Sequence, residues 1–369
     1  MLNEKRLLDE FMELVQIDSL SAKEGAIAKV LMEKLEDLGL DVTRDDAGEK
    51  VGGETGNIIA TLKGEKEGDP ILFACHMDTV KPGEGVKPEV RDGVIYSDGT
   101  TILGADDKAG IAAILEAIRQ LKEQKTPHRD IEVVFTIWEE GGLNGAKNLD
   151  LSKINGKYGF ILDSAGSPGE IVTQGPTQES IKVTINGTPA HAGLAPEEGV
   201  SAIMVAARAI ENMNLLRIDG HTTANIGVVQ GGEATNIVMP KLEIKAEARS
   251  SSGERLEAQV KHMIETFEKA AEDMGATLDI EHERVYPPFD IPEDSEIVQK
   301  TKEALSNIGI EGYVAATGGG SDTNILNGKG ITALNLGIGM KKPHTLEEHI
   351  SIEDLNNTAR MTYQLMKIF

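Results

Sequence analysis

Four short runs constrain this chain more than anything else in it. ILFAC at 71–75, IEVVFTI at 131–137, YGFIL at 158–162 and ITALNLG at 331–337 are almost wholly apolar. A strand with one wet face alternates apolar and polar residues, whereas a strand covered on both faces does not. Helical segments such as Lys108–Lys122 and Ile297–Ile308 lie between the runs. This pattern predicts an α/β fold built on a mostly parallel twisted sheet with helices on both faces. Residues 4 to 39 read as two amphipathic helices broken near Ser19-Leu20-Ser21, the second ending at Gly39, followed by short strands around 41–44 and 57–62.

The residues just past each run bear on function. ILFAC leads into His76-Met77-Asp78, IEVVFTI into Trp138-Glu139-Glu140, YGFIL into Asp163, and ITALNLG into a loop containing His344. Open parallel sheets bind ligands beyond the carboxyl ends of their strands, so four strands deliver imidazoles and carboxylates to one edge. His76 and Asp78 are two apart and project to one side of an extended chain, with Cys75 and Met77 on the other. The segment Gly104-Ala105-Asp106-Asp107 precedes a helix, and there Asp107 reads as an N-cap or dipole partner. His76, Asp106, Glu140, Asp163 and His344 form a nitrogen and oxygen set from five segments. One zinc takes about four ligands, so five with one carboxylate shared suit two ions about 3.5–4 Å apart. A glutamate left free of metal would then act as general base, and Asp78 would orient His76 through its second ring nitrogen. Glu139 and Glu140 can serve one site only if the strand ends at about Trp138 and Gly141-Gly142 turn the chain.

Between Gly175 and about Tyr286 the texture changes. SIKVTINGT, HTTANIGVVQ and KLEIKAEARS alternate as half-exposed antiparallel strands, with helices at about 197–212 and 253–274. This predicts an inserted α+β domain at 176–286, flanked by Gly175-Pro176 and Pro287-Pro288, with the first domain formed by 1–175 and 287–369. Acidic residues outnumber basic ones by 61 to 37, a net charge of −24, which argues against nucleic acid or an anionic membrane as partner. No stretch approaches the roughly 18 apolar residues of a membrane span. The first residues repeat apolar positions at helical spacing and carry charges throughout, unlike a signal peptide, and Cys75 is the sole cysteine. The expected setting is the cytoplasm.

HMDTV, GADDKAG, WEEGGLNGAKN, LDSAG and HTLEEHIS occur in an order and spacing that resembles the co-catalytic zinc peptidases and deacylases. That family includes peptidase T, carboxypeptidase G and succinyl-diaminopimelate desuccinylase, and the likeness to peptidase T-like aminopeptidases is the strongest. The resemblance implies a tripeptide aminopeptidase with two divalent ions, zinc or alternatively cobalt or manganese. It makes Asp106 the bridging ligand, with His76 and Asp163 on one ion and Glu140 and His344 on the other. It makes Glu139 the base and Asp78 the partner of His76, and it implies a cis bond between Asp106 and Asp107. His344, about four residues before Glu348, matches the family's ligand better than His349. The insert would be the lid and homodimer interface. His191 would reach the neighbouring subunit's site and stabilise an oxyanion. Asn236 and Arg249 would hold the substrate's carbonyl and carboxylate, and Gly319, in the glycine-rich loop, would line the pocket. The same site also suits an N-acyl amino acid deacylase or a carboxypeptidase, and a catalytically silent metal or peptide binder is the alternative of another class.

Overall fold

The computed structural model describes residues 2–369, which form two compact units. The first comprises the chain up to Thr173 with Asp290–Ala316 and Ser321–Phe369; the second comprises Gln174–Phe289 and Thr317–Gly320.

The large sheet places the strands in the order 41–44, 58–62, 131–136, 71–76, 158–164, 332–337, 170–175 and 289–290, with Tyr313–Ala316 paired to 170–175. The four apolar runs are the parallel centre: Ile131–Thr136 pairs in parallel with Ile71–His76, which pairs with Tyr158–Ser164, which pairs with Thr332–Gly337. The flanks are antiparallel. Both faces are covered, which is why these strands lack alternation. Leu72, Ala74, Val134, Ile161 and Ala333 pack on one face with Leu149 and Leu326. On the other, the rings of Phe73 and Phe160 lie 5.4 Å apart, and Phe369 meets Phe160 at 5.3 Å. Helix Ala105–Gln124 lies on that second face; a Cβ on its Gly110 would stand 2.6 Å from Cys75 Sγ and from the Leu162 carbonyl oxygen. The two N-terminal helices span Glu4–Val15 and Gly25–Asp37, and Gly39 takes a positive φ just past the second.

In the second unit a five-stranded antiparallel sheet runs in the order 216–217, 222–231, 241–250, 177–186, 277–286. Ile181, Val183 and Ile185 alternate inward and meet Leu256, Val260, Met263 and Phe267 of helix Gly253–Met274. Ser252 caps that helix by accepting from the Arg255 amide, and Gly275, at φ 75°, ends it. The other helix begins at Ala202, not near 197, because Pro196–Glu198 makes a separate short turn. Among the described residues no helix is long and apolar enough to cross a membrane.

Candidate metal centre and active site

His76 is the last residue of its strand, and on the neighbouring strands the paired position is Thr136 and the near-terminal residue is Asp163. One edge of the parallel sheet thus carries His76, Asp163 and the loop after Thr136. Asp106 comes to the same place from the start of helix Ala105–Gln124. Its carboxylate stands between two imidazoles: Oδ1 is 2.9 Å from His76 Nε2, and Oδ2 is 3.2 Å from His344 Nε2. Asp163 Oδ1 lies 3.7 Å from the same His76 Nε2, and Glu140 Oε1 lies 2.8 Å from the same His344 Nε2. The five residues therefore form a chain, Asp163, His76, Asp106, His344, Glu140. His349 stands apart, stacked on Tyr96 at 5.0 Å.

The strand ends at Thr136, two residues before the expected end at about Trp138, and the chain then turns. The glycines share the turning with a residue that sequence alone does not mark for it. Trp138 itself is left-handed, at φ 48°, while Gly142 sits at φ 113°. Gly141 provides room: a Cβ there would lie 1.9 Å from the Trp138 indole nitrogen. The Leu143 amide then donates to the Glu139 carbonyl at 2.7 Å, closing a tight loop with Glu139 buried at its tip.

Asp78 holds that loop. Its Oδ1 accepts from the Glu139 amide at 2.8 Å, and its Oδ2 from the Glu140 amide at 3.3 Å and from the Ser21 hydroxyl at 2.6 Å. The expected bond from the His76 ring to the Asp78 carboxylate is instead made chiefly to the Asp78 carbonyl, at 2.9 Å from Nδ1, with the carboxylate at 3.5 Å. The N-cap reading of Asp107 also needs correction. Asp106 and Asp107 have non-helical backbone angles and are joined by a cis bond, and Asp107 accepts from the His76 amide at 3.2 Å, outside its own helix.

The electrostatics are those of a site short of positive charge. Burial pushes Glu139 well above the usual carboxylate range, with Asp322, Glu140 and Asp78 adding to the rise. Asp163 is raised by burial and by Asp106 and Asp107. Burial opposes a charged His76, but bonds to Asp106 and Asp78 raise it well above normal; bonds to Asp106 and Glu140 bring His344 up to about 10. Burial works against the Asp106 carboxylate too, yet His344 and His76 hold it below the ordinary range. Crowded carboxylates in contact with two imidazoles suit divalent cations. Ligand atoms of His76, Asp106 and Glu140 lie within 4.8 Å of one another, as do those of His76, Asp107 and Asp163.

Residues 72–368 match the sequence profile of Peptidase family M20/M25/M40. The chain belongs to this peptidase family. It is 50% identical over 367 residues to the uncharacterized protein YqjE of Bacillus subtilis, covering 100% of this chain and 99% of that one. It is 49% identical to the crystallised aminopeptidase PepT of Bacillus cereus, covering 100% and 99% of the two chains at a TM-score of 0.92. A tripeptidase from Staphylococcus aureus is 44% identical with the same coverage, at a TM-score of 0.96.

In this M20/M25/M40 peptidase the remaining candidates lie in the second unit. The Ala192 amide donates to the Asn236 carbonyl at 2.9 Å, which brings His191 and Asn236 onto neighbouring turns with both residues exposed. Arg249 is already engaged: Nε and Nη2 donate to Glu247 at 2.8 and 3.0 Å, and Nη1 reaches the Gly318 carbonyl at 3.4 Å. Gly319, next along, is exposed. Three buried carboxylates around the candidate site escape a reading of the sequence alone. Glu348 accepts from the amides of Leu103, Gly104 and Asp106 at 2.9, 2.8 and 3.0 Å, and burial brings it up to about 7. Asp322 accepts from Thr136 Oγ1 at 2.5 Å and is pushed by burial to about 6. Glu24 accepts from the Trp138 amide at 2.9 Å. Only Asp322 leaves a signal, an acid at a helix start after a glycine run; the partners of the other two are too far away in sequence to be read.

Proposed function

We propose that this peptidase cleaves short peptides, with tripeptides opened at the amino-terminal bond, at a centre of two divalent ions. The observation that carries the reading is Asp106, which offers one carboxylate oxygen toward each of His76 and His344. His76 and Asp163 would complete one ion's ligands, and Glu140 and His344 the other's. The donor set accepts zinc, and cobalt or manganese as well. Bound ions would polarise the scissile carbonyl and make a water acidic near neutral pH.

The chain's own residues handle the proton. Glu139 is buried and raised toward the range in which a carboxylate both takes and returns a proton. It takes the proton of the attacking water and passes it to the leaving nitrogen, which keeps the amine from being expelled as an anion. Asp78 keeps Glu139 and Glu140 in place through their amides. The identity to an aminopeptidase and a tripeptidase supports the peptide substrate.

The first unit is the metal-binding domain in this reading, and residues 176–286 are the lid, paired with a second copy. Support comes from strand Thr222–Gly231: only Thr223 and Ala224 pair with the short strand beside it, so the edge from Asn225 onward is open. Val228 and Val229 on that edge are 44% and 48% exposed, and Met204 of helix Ala202–Glu211 is 57% exposed. An open edge flanked by apolar side chains is what a paired second copy would cover. In such a dimer the exposed His191 would serve the partner's site, while Asn236, Arg249 and Gly319 would face the substrate. The buried lone thiol of Cys75 suits the cytoplasm.

The test is a panel of free, N-acetylated and C-amidated tripeptides and of N-acetyl amino acids, assayed with zinc, cobalt or manganese. The expected result is release of the first residue from free tripeptides and resistance of the N-acetylated ones. Faster cleavage of N-acetyl amino acids than of free peptides would replace this reading with a deacylase.

A further inference from the structure

Glu24 is a buried carboxylate that the proposed chemistry does not use. It directly precedes helix Gly25–Asp37, yet its side chain makes no cap bond to that helix. A single oxygen, Oε1, instead accepts two backbone amides: Trp138 at 2.9 Å and Ala22 at 3.0 Å. Both donors belong to non-glycine residues in the left-handed region, Trp138 at φ 48° and Ala22 at φ 69°. Such backbone persists only where the surroundings over-determine it. The next two amides, of Glu139 and Glu140, end on Asp78, which Ser21 also contacts. Three successive amides of the loop are thus fixed by two carboxylates, and both carboxylates are tied back to residues 21 and 22.

We propose that Glu24 is a positioning residue of the peptidase site, whose shared oxygen holds Trp138 in the conformation that lets adjacent Glu139 and Glu140 serve one centre. This rests on the roles proposed above for those two glutamates. Without the acceptor the Trp138 peptide is free to rotate toward extended backbone, where alternation sends the two side chains to opposite sides. Glu24 acts at a distance from substrate, through the loop. Its Oε2 has no partner among the described residues, so an amide in place of the carboxyl keeps both hydrogen bonds.

The experiment uses the full chain with Glu24→Ala, Glu24→Gln and Glu24→Asp, reading kcat and KM on trialanine and zinc retention against a chromogenic chelator. A displacement of about 1 Å at a catalytic group can cost on the order of 100-fold. Glu24→Ala should therefore lower kcat about 30- to 100-fold with KM within about threefold, and should retain zinc more weakly because Glu140 moves with the loop. Glu24→Gln should restore most of that kcat and the zinc retention. If Glu24→Ala does not fold, Glu24→Asp, one methylene shorter, should still show the kcat loss. A folded Glu24→Ala or Glu24→Asp with wild-type kcat overturns the proposal, as does a Glu24→Gln as impaired as the alanine. Glu139→Gln serves as comparator: full turnover there overturns the base assignment, while zinc retention in the Glu24 series is read without turnover.

Discussion

Zinc added to chelator-stripped protein at pH 8 should release at least one proton per chain. His344 Nε2 lies 2.8 Å from Glu140 and 3.2 Å from Asp106, and these carboxylates bring the imidazole up to about 10. Two units below that value the ring is about 99% protonated, and a protonated nitrogen has no lone pair to give a metal. The carboxylates of Asp106 and Asp78 shift His76 in the same direction, and Asp106, held below the ordinary carboxylate range, is no source of protons. The sign comes from competition. The proton occupies the ligand atom, so zinc affinity must rise with pH, about tenfold per unit for each proton displaced, and the share due to His344 must level off near pH 10. Calorimetric titration in two buffers of unlike ionisation enthalpy counts the protons directly. Binding heats identical in the two buffers, with affinity flat from pH 7 to 9, would refute the assignment of His344 and His76 as ligands.

Single contacts set other outcomes. Gly110→Ala would place a Cβ 2.6 Å from Asp107 Oδ1, Cys75 Sγ and the Leu162 carbonyl, so it should cost about 1–3 kcal/mol as a fall in denaturation midpoint. Glu348→Gln replaces one of two accepting oxygens with an NH₂ group facing backbone donors. It should lose about 1–3 kcal/mol in chemical denaturation and weaken zinc binding by moving Asp106. If the proposed dimer forms through the open strand edge, Val229→Glu should sediment as a monomer where the wild type sediments as a dimer; a sedimentation coefficient unchanged by the substitution would refute pairing at this edge.

The parallel core, with His76, Asp163 and the Glu139–Glu140 pair at its strand ends, was legible because each depends on local pattern: an apolar run too short for a long helix, with His, Asp or Glu close behind it; His344, seven residues past its run, was legible only in the motif HTLEEHIS. The conformation of Trp138 was not. An aromatic residue gives no sequence signal for a left-handed backbone, and what holds it there is Glu24, 114 residues earlier. Asp107 misled for the same reason, since an acid at a helix start is ordinarily a cap, and its actual donor, the His76 amide, is 31 residues away. The second ring nitrogen of His76 turned to a carbonyl instead of the carboxylate of Asp78 because that carboxylate is already engaged with the Glu139–Glu140 loop. Residue type at a strand end survives in sequence; the tertiary acceptors that aim it do not.

In the proposed site two adjacent residues divide the labour, with Glu139 moving the proton and Glu140 holding metal. Glu139→Gln and Glu140→Gln, measured side by side for zinc content and for trialanine turnover, test that division most directly. Glu139→Gln should keep two zinc ions with turnover reduced by about 10²–10⁴, and Glu140→Gln should lose zinc. Full zinc in Glu140→Gln, or near-normal turnover in Glu139→Gln, would contradict it.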